Sequence, residues 1–200
     1  GDIVIRSLVP LMLALLAGGV LLAVLGRNPF SFYGSVWTYG VAEGSWQQSA
    51  VTMIPFLLIA TGLAVIFRAN IWNLGYWGQF ALGAALVAGL GPWLTTHLPL
   101  ALAFVLLFLV AGAAGAAWTL IPAVLKARYG TNEIITSLVM SFIAVGVVNL
   151  LIKGIFKDPG TSTPQTTVIP DDDLLPYIPG TQIHIGFVIA IVLAVVAQFV

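Results

Sequence analysis

The sequence predicts an all-α membrane protein, a polytopic bundle of about six transmembrane helices. Only 7% of the 200 residues are charged and 60% are hydrophobic, whereas about 25% of residues are charged in a typical soluble domain. Apolar runs of about 20 residues, enough to cross a hydrocarbon core about 30 Å thick, recur along the chain. We therefore expect a single multi-pass domain, residues 1–200, in the cell (inner) membrane.

The charge balance and the residue types exclude several other classes of protein. Seven Lys and Arg offset seven Asp and Glu, so no basic field favours binding to nucleic acid. The absence of cysteine excludes disulfides, thiolate metal sites and a cysteine nucleophile. The sequence contains no phosphate loop, zinc pair or nucleophile elbow, so we expect no catalytic, cofactor or metal site.

The first two predicted spans are Ser7–Gly26 and Gln48–Phe67, and Arg68 closes the second. The first run is longer than the apolar part of a signal sequence, which has about 7–15 residues, and this length favours a span. The segment between the two spans, Asn28–Gln47, is rich in aromatic residues. We expect it to be a connection that lies along the membrane interface.

The third and fourth spans come from a long uncharged run. Ala69–Leu125 contains no formal charge, which is too long for one helix and about right for two. Helix-disfavouring residues from Gly91-Pro92 to Pro99 predict the break between them. The resulting spans lie near Tyr76–Leu90 and Leu100–Ile121.

The fifth span is Ile134–Ile152, and either Thr131 or Asn132 can cap its start. The sixth begins near His184. Between them, residues 153–183 hold five of the eleven prolines and an acidic triplet. This segment is the only sizeable polar stretch, and we expect it to be an exposed extracytoplasmic loop.

An orientation follows from the number of crossings and the positive-inside rule, which counts Lys and Arg near span ends. If Arg6 is cytoplasmic, the basic residues that an even number of crossings separates from it lie on the same side, and the seven divide four to three. The cytoplasmic set is Arg6, Arg68, Lys126 and Arg128, and the opposite set is Arg27, Lys153 and Lys157. The 153–183 loop then faces outward.

No Asp, Glu, Lys or Arg occupies the middle of a predicted span, which argues against coupling to protons or voltage within this segment. The remaining polar feature is the stretch from Arg68 to Gln79, which includes Asn70, Asn73 and Gly75. Amides and unpaired backbone groups at membrane depth are tolerated where protein or a water-filled cavity satisfies them. The stretch is therefore either the lining of a path or a cytoplasmic turn with an aromatic belt.

Three motifs carry a family resemblance. Residues 68–79, R-A-N-I-W-N-L-G-Y-W-G-Q, resemble the "F-R-A-G-x-x-N-I-G-x-E-G-Q" signature of permease subunits in the branched-chain amino acid, simple sugar and nucleoside class of ABC importers. Residues 125–136, L-K-A-R-Y-G-T-N-E-I-I-T, are similar to that family's "L-K-A-x-x-G-x-N-E-V-I-x-T". Residues 157–160, K-D-P-G, with P-Q-T at 164–166, are similar to a third motif.

The resemblance implies a half-permease in an ATP-driven importer. It implies two cytoplasmic ATP-binding subunits, a second permease subunit and an extracytoplasmic solute-binding protein as partners, besides membrane lipid. Family members have roughly ten spans. The chain starts at Gly1 without a methionine and stops at Val200 inside an apolar run, so we expect a piece of a longer protein whose coupling helix lies beyond Val200.

The resemblance and the polar pattern together nominate three groups of residues. Candidates for the translocation path of a small polar solute, a sugar or nucleoside, are Asn70, Asn73, Gly75, Gln79, Thr136 and Ser141. Candidates for docking the binding protein are Lys157, Asp158, Asp171, Asp172 and Asp173, although a solvated acidic loop explains the triplet as well. Candidates for the cytoplasmic face are Arg68, Lys126, Arg128 and Glu133, whose cations the positive-inside rule also explains.

Two departures from the family pattern and two other functions keep the assignment open. Trp77 replaces the acid before Gly-Gln, and Ser141 replaces an asparagine often found in the fifth helix. A secondary transporter or channel independent of an ATPase is the main alternative, and a membrane anchor or assembly factor is another.

Overall fold

The computed structural model describes residues 2–42 and 44–199, with side chains from Leu8 onward. The described part of the chain forms seven α-helices, and its only strand-like pairing is one antiparallel bridge between Tyr177 and His184. The helices are α1 (Asp2–Val24), α2 (Pro29–Gly40), α3 (Ser45–Arg68), α4 (Tyr76–His97), α5 (Leu100–Tyr129), α6 (Glu133–Lys153) and α7 (Gly186–Val196). The all-α prediction is confirmed. The side chain of Arg6 and the whole of Val200 lie outside the described residues.

Three of the described helices, α3, α5 and α6, are long and apolar enough to cross a membrane. Their large side chains are widely exposed, and Phe108, Phe142 and Leu150 have exposed fractions of 67%, 72% and 73%. Lipid is the environment in which such surfaces are stable, so this is a helical membrane protein. Residues 8–24 and 186–199 form shorter apolar helical stretches, and the count of six spans stays a prediction.

The break predicted from Gly91-Pro92 to Pro99 is narrower in the structure: α4 continues through Gly91 and Pro92 to His97, and the chain leaves the helix only at Leu98 and Pro99. Similarly, α5 passes the predicted end at Ile121 and continues through Pro122 to Tyr129. A proline inside a helix forfeits one backbone hydrogen bond. If the helix ended at membrane depth, several backbone N–H and C=O groups would lack partners. A continuous helix that lacks one hydrogen bond is therefore more stable there.

Helix α2 occupies most of the segment that the sequence predicts to be a connection. Its start is capped by Asn28, whose Oδ1 accepts from the backbone N–H groups of Phe30 and Ser31 at 2.9 and 3.3 Å, with Pro29 in the first turn. Asn followed by Pro is a helix-start signal that was present in the sequence. Twelve residues at about 1.5 Å each are too short to cross the bilayer.

The chain divides into two compact units, Gly1–Ile54 with Tyr177–Phe187, and Pro55–Pro176 with Val188–Val200. In the first, α2 packs on α1, and the Tyr33 hydroxyl donates to the carbonyl of Leu15 at 2.6 Å. In the second, α4 packs against both α5 and α6, and α5 also contacts α6. The core of this second unit is apolar and includes Leu94, Ala103 and Leu107.

Helix α6 begins one residue before the prediction, at Glu133, and Asn132 is the residue that caps it. Its Oδ1 accepts from the backbone N–H of Ile134 at 2.9 Å and of Ile135 at 3.4 Å. Gly130 ends α5 in the left-handed conformation, with φ 65°, which glycine adopts without strain. The turn between α5 and α6 is therefore fixed by local chemistry.

Candidate functional site

Segment 69–75 joins α3 to α4 and is the irregular part of the polar stretch. Asn70 takes a left-handed conformation with φ 53°. The next backbone N–H, that of Ile71, donates to the carbonyl of Ile66 at 3.2 Å, which closes the helix end as a Schellman-type turn does. Asn70 is exposed, so it terminates α3 and does not join the buried part of the segment.

Asn73 and Gln79 form a pair of side-chain amides. Asn73 is buried, with 5% of its surface exposed, and its Oδ1 accepts from the backbone N–H of Gly75 at 2.7 Å. The two amides face each other with both N···O distances at 3.4 Å. These two bonds are longer than the usual range of about 2.7–3.2 Å. The Asn73 side chain is therefore held mainly by its hydrogen bond from Gly75, and the two hydrogen bonds between Asn73 and Gln79 are weaker.

Two serines of α6 satisfy backbone groups of segment 69–75 and of the start of α4. The Ser137 hydroxyl accepts from the backbone N–H of Leu74 at 3.0 Å. The Ser141 hydroxyl accepts from the N–H of Gly78 and donates to the carbonyl of Leu74, both at 3.4 Å. Because non-helical backbone cannot satisfy itself, such partners are needed where water is excluded.

Ser137 is a residue of this cluster that sequence reasoning missed. It lies four positions before Ser141, so both hydroxyls share one face of α6, and this spacing was the available signal. Thr136 lies on a neighbouring face, half-buried, and its hydroxyl donates to the carbonyl of Asn132 at 3.0 Å within its own helix. The structure thus brings Asn73, Gly75, Gln79 and Ser141 together and leaves Asn70 and Thr136 outside this cluster.

Two glycines allow the cluster to close. A Cβ added to Gly75 would lie 2.8 Å from Asn73 Oδ1 and 3.1 Å from Gln79 Nε2. A Cβ added to Gly78 would lie 2.8 Å from the Cβ of Ala144 on α6. Small residues permit this close backbone approach between membrane helices, so the sequence's glycines decide how near α4 comes to α6.

Two cavities flank Asn73, which lines both. One, of about 320 Å³, lies beside the α5–α6 turn and includes Trp72, Lys126 and Ser137 in its lining. The other, of about 250 Å³, lies between α3 and α4, and we name it the α3–α4 cleft. Its lining includes Leu58, Gly62, Asn73, Tyr76, Gln79 and Phe80. Both cavities are near or below the lower end of the range of about 300–1,000 Å³ for small-molecule pockets.

Two of the four candidates for the cytoplasmic face form an ion pair. Lys126 Nζ and Glu133 Oε1 form an ion pair at 2.6 Å across the α5–α6 turn. Both residues line the 320 Å³ cavity together with Trp72. Arg68 instead donates to the carbonyl of Ala197 at 2.8 Å. The Arg128 side chain is exposed.

The third motif forms a compact turn in the 153–183 loop. The backbone N–H of Asp158 donates to the carbonyl of Gln165 at 2.8 Å, and its Oδ1 accepts from the N–H of Gly160 at 2.8 Å. The two halves of the motif are therefore hydrogen-bonded to each other. Lys157 is exposed beside this turn.

The same loop contacts the C-terminal half of α4 through apolar side chains. A Cβ added to Gly89 would overlap the ring of Phe156, and one added to Gly91 would lie 3.0 Å from Ile169 Cδ1. The acidic triplet follows as a short 3₁₀ helix, Asp171–Asp173, whose first two residues are exposed. Within the described ranges none of the three forms an ion pair.

Comparison with known proteins gives one family and several relatives. The family model described as "Branched-chain amino acid transport system / permease component" matches residues 46–200. A glucose ABC transporter permease protein of Haloferax volcanii is 31% identical over 94% of this chain and 52% of its own length. A guanosine ABC transporter permease protein of Bacillus subtilis is 30% identical over 96% of this chain and 56% of its own length.

A nucleoside ABC transporter permease protein of Lactococcus lactis is more distant, at 23% identity over 98% of this chain and 57% of its own length. The chain thus spans about half the length of the curated relatives it matches. No solved structure matches it.

Proposed function

The chain belongs to the family of branched-chain amino acid transport system permease components, and on that premise we propose that it forms part of the solute path of an ATP-driven importer. The solute is a small, uncharged, polar molecule, a nucleoside or a sugar. The path candidates are those nominated by the sequence: Asn70, Asn73, Gly75, Gln79, Thr136 and Ser141. The protein resides in the cell (inner) membrane.

The observation that carries this proposal is the uncharged polar cluster around Asn73. Its buried amide lies in non-helical backbone between two cavities. Non-helical backbone at membrane depth is found where protein buries it or where it lines a cavity. A lining of amides and hydroxyls offers a polar solute hydrogen bonds without a charge, which suits weak contacts and ready release.

The choice of solute class is supported by the relatives. Their names specify glucose, guanosine and nucleosides, all of which are uncharged and rich in hydrogen-bonding groups. Asn73 and Gln79 provide the matching donors and acceptors. No Asp, Glu, Lys or Arg lies in the middle of a predicted span, which argues against ion coupling within this segment and supports ATP hydrolysis by partner subunits as the energy source.

The partners are two cytoplasmic ATP-binding subunits, a second permease subunit and an extracytoplasmic solute-binding protein. The ATPase face includes Lys126 and Glu133 beside the α5–α6 turn, together with Arg68 and Arg128. The binding protein docks on the loop that carries Lys157, Asp158 and the triplet Asp171–Asp173. The two sets of residues lie near opposite ends of α4, which supports their assignment to different partners. The Lys126–Glu133 pair lies near the N-terminal end of α4, whereas Phe156 and Ile169 of the loop contact its C-terminal half.

Uptake by the assembled transporter in reconstituted vesicles tests the proposal. Labelled adenosine and glucose are offered with ATP or ADP on the ATPase side, with and without an ionophore that dissipates ion gradients. We expect uptake of at least one solute that requires ATP and survives the ionophore. Uptake that persists with ADP and stops with the ionophore would instead identify a secondary transporter.

A variant connects the uptake to the polar cluster. Asn73→Leu removes the amide that lines both cavities and is expected to reduce uptake strongly. Ser35→Ala is the matched control, because Ser35 is an exposed residue of α2 whose hydroxyl donates to the carbonyl of Ser31 in its own helix. Equal uptake by the two variants would remove the cluster from the path.

A further inference from the structure

The cavity of about 320 Å³ beside the α5–α6 turn extends along one face of α5. Thr119, Ala123, Lys126 and Ala127 line it, at positions i, i+4, i+7 and i+8, which share one side of a helix. At about 1.5 Å per residue, Thr119 lies about 10 Å farther from the end of α5 than Lys126 does. The cavity therefore has a deep end at Thr119 and a mouth at the end of α5, and we name it the inner cavity.

The inner cavity reaches the polar cluster around Asn73. Ser137 and Asn73 both line it, and Ser137 lies one helical turn deeper in α6 than Glu133. The Ser137 hydroxyl accepts from the backbone N–H of Leu74, the residue after Asn73, at 3.0 Å. Asn73 also lines the α3–α4 cleft. The inner cavity thus leads from the buried amide toward the α5–α6 turn.

An ion pair lies at the mouth of the inner cavity. Lys126 is in the last turn of α5 and Glu133 is in the first turn of α6. Their side chains meet at 2.6 Å, with exposed fractions of 44% and 22%, and both residues line the cavity. The pair therefore joins two walls of the cavity at its boundary with the exterior, and separating the two side chains would widen the mouth.

The α5–α6 turn does not depend on this ion pair. Asn132 caps α6 through the backbone N–H of Ile134 at 2.9 Å, and Gly130 ends α5 with φ 65°. Partly exposed ion pairs contribute little to stability, because water solvates the separated charges. The Lys126–Glu133 pair can therefore separate while the turn keeps its structure.

We propose that the inner cavity is the cytoplasmic vestibule of the solute path and that the Lys126–Glu133 ion pair is the gate at its mouth. This inference rests on the proposed function and adds an exit to the same path. An uncharged solute has no charge with which to displace either partner of the pair. Opening therefore requires movement of the end of α5 or α6, and a partner bound at the proposed ATPase face would contact the gate directly.

The reaction of a single cysteine with charged thiol reagents tests the gate. The 200-residue chain contains no cysteine, so Thr119→Cys places one thiol at the deep end of the inner cavity. Ala127→Cys is the control position, because Ala127 is exposed and lines the mouth. The full-length chain, assembled with its partners in inside-out vesicles, is treated with a cationic or an anionic methanethiosulfonate. Mass spectrometry identifies the modified residue and gives its rate of reaction.

Lys126→Met combined with Glu133→Gln removes the ion pair and leaves the net charge at the mouth unchanged. We expect both reagents to modify Thr119→Cys about 1.5- to 5-fold faster in this double variant, the range expected for the loss of a partly exposed ion pair. The rate at Ala127→Cys should not change. Lys126→Arg, which preserves the pair, should keep the native rate, and Arg128→Met is the control for loss of an exposed neighbouring cation.

Four results would each overturn the gate. They are an unchanged rate at Thr119→Cys in the double variant, an equal acceleration at Ala127→Cys, an equal acceleration by Arg128→Met, and modification of Thr119→Cys only from the extracytoplasmic side. If thermal unfolding shows that the double variant does not fold, Glu133→Gln alone replaces it. The cationic reagent is then decisive, because the remaining Lys126 repels it and only a wider mouth can raise its rate.

Uptake and cysteine modification separate the two hypotheses. ATP-dependent uptake, with no acceleration at Thr119→Cys when the pair is removed, would overturn the gate and leave the importer in place. Acceleration that depends on the pair, in a protein whose uptake is independent of ATP, would support the gate and overturn the importer.

Discussion

Gly78 of α4 lies against Ser141 of α6 so closely that a Cβ on Gly78 would be 2.7 Å from the Ser141 Cα. Real Cβ atoms do not approach backbone to this distance, so the contact exists only because residue 78 has no side chain. The same contact positions the Ser141 hydroxyl 3.4 Å from the Gly78 backbone nitrogen. Helix packing and the polar cluster therefore depend on one glycine.

Gly78→Ala is expected to destabilise the contact between α4 and α6, because neither backbone can move away without opening the Asn73 cluster. Overpacking of this kind costs about 1–3 kcal/mol. Thermal unfolding in detergent, followed by tryptophan fluorescence, measures the change. Gly83→Ala is the matched control on the same helix, since its Cβ would meet Ala111 at an ordinary 3.5 Å; equal melting temperatures for both variants would contradict the predicted clash.

Ser137→Ala should destabilise the protein by about 1–3 kcal/mol, because it leaves the Leu74 N–H without its partner in a buried place. Ser137 has only 2% of its surface exposed, and the bond that it accepts from Leu74 is partly buried. The measurement is the shift of the unfolding midpoint relative to Ser35→Ala, an exposed serine of α2. Indistinguishable midpoints would show that the segment does not need the α6 hydroxyl.

Asn132→Ala removes the side chain that caps α6 and is expected to cost about 0.5–2 kcal/mol. Thr131→Val is its neighbouring control, because the Thr131 hydroxyl is buried without a hydrogen-bond partner among the described residues. Replacing it with a methyl group should leave stability unchanged or raise it. If thermal unfolding showed a larger loss of stability for Thr131→Val than for Asn132→Ala, the cap of α6 would be Thr131 and not Asn132.

Neutralising the triplet, with Asp171→Asn, Asp172→Asn and Asp173→Asn combined, should reduce uptake more at low ionic strength than at high. Exposed charges mainly steer encounter with a partner, and the screening length falls from about 30 Å at 0.01 M salt to about 3 Å at 1 M. Uptake with the binding protein present is measured at both salt concentrations. A variant as fast as the native protein under both conditions would leave the triplet as a solvated loop.

The positions of the helices were largely predictable, and their ends were less so. Apolar runs located both ends of α3 and α6 to within three residues, but the predicted end of α5 at Ile121 is eight residues short, and Pro92 was given too much weight as a helix breaker. Composition indicates whether a segment partitions into lipid. Whether a proline ends a helix depends instead on which groups can hydrogen-bond the backbone around it. The helix α2 was missed although Asn28 and Pro29 signalled its start.

The candidate site was predictable as a stretch of chain and less so as a cluster. The amides of Asn73 and Gln79 were nominated from the polar pattern together with the family resemblance, while Ser137 was overlooked although it stands four positions before Ser141. Asn70 and Thr136 were nominated with the rest, yet one ends α3 and the other bonds within α6.

The sequence by itself determined that the protein is a helical membrane protein, because partition into lipid depends on the local density of apolar side chains and charges. It also carried the family motifs. Only the tertiary structure decided that Asn73 meets Gln79 and that the hydroxyls of Ser137 and Ser141, more than sixty residues along the chain, bond the backbone of Leu74 and Gly78. Such contacts depend on how closely two backbones approach, which glycines at Gly75 and Gly78 permit but local sequence does not specify.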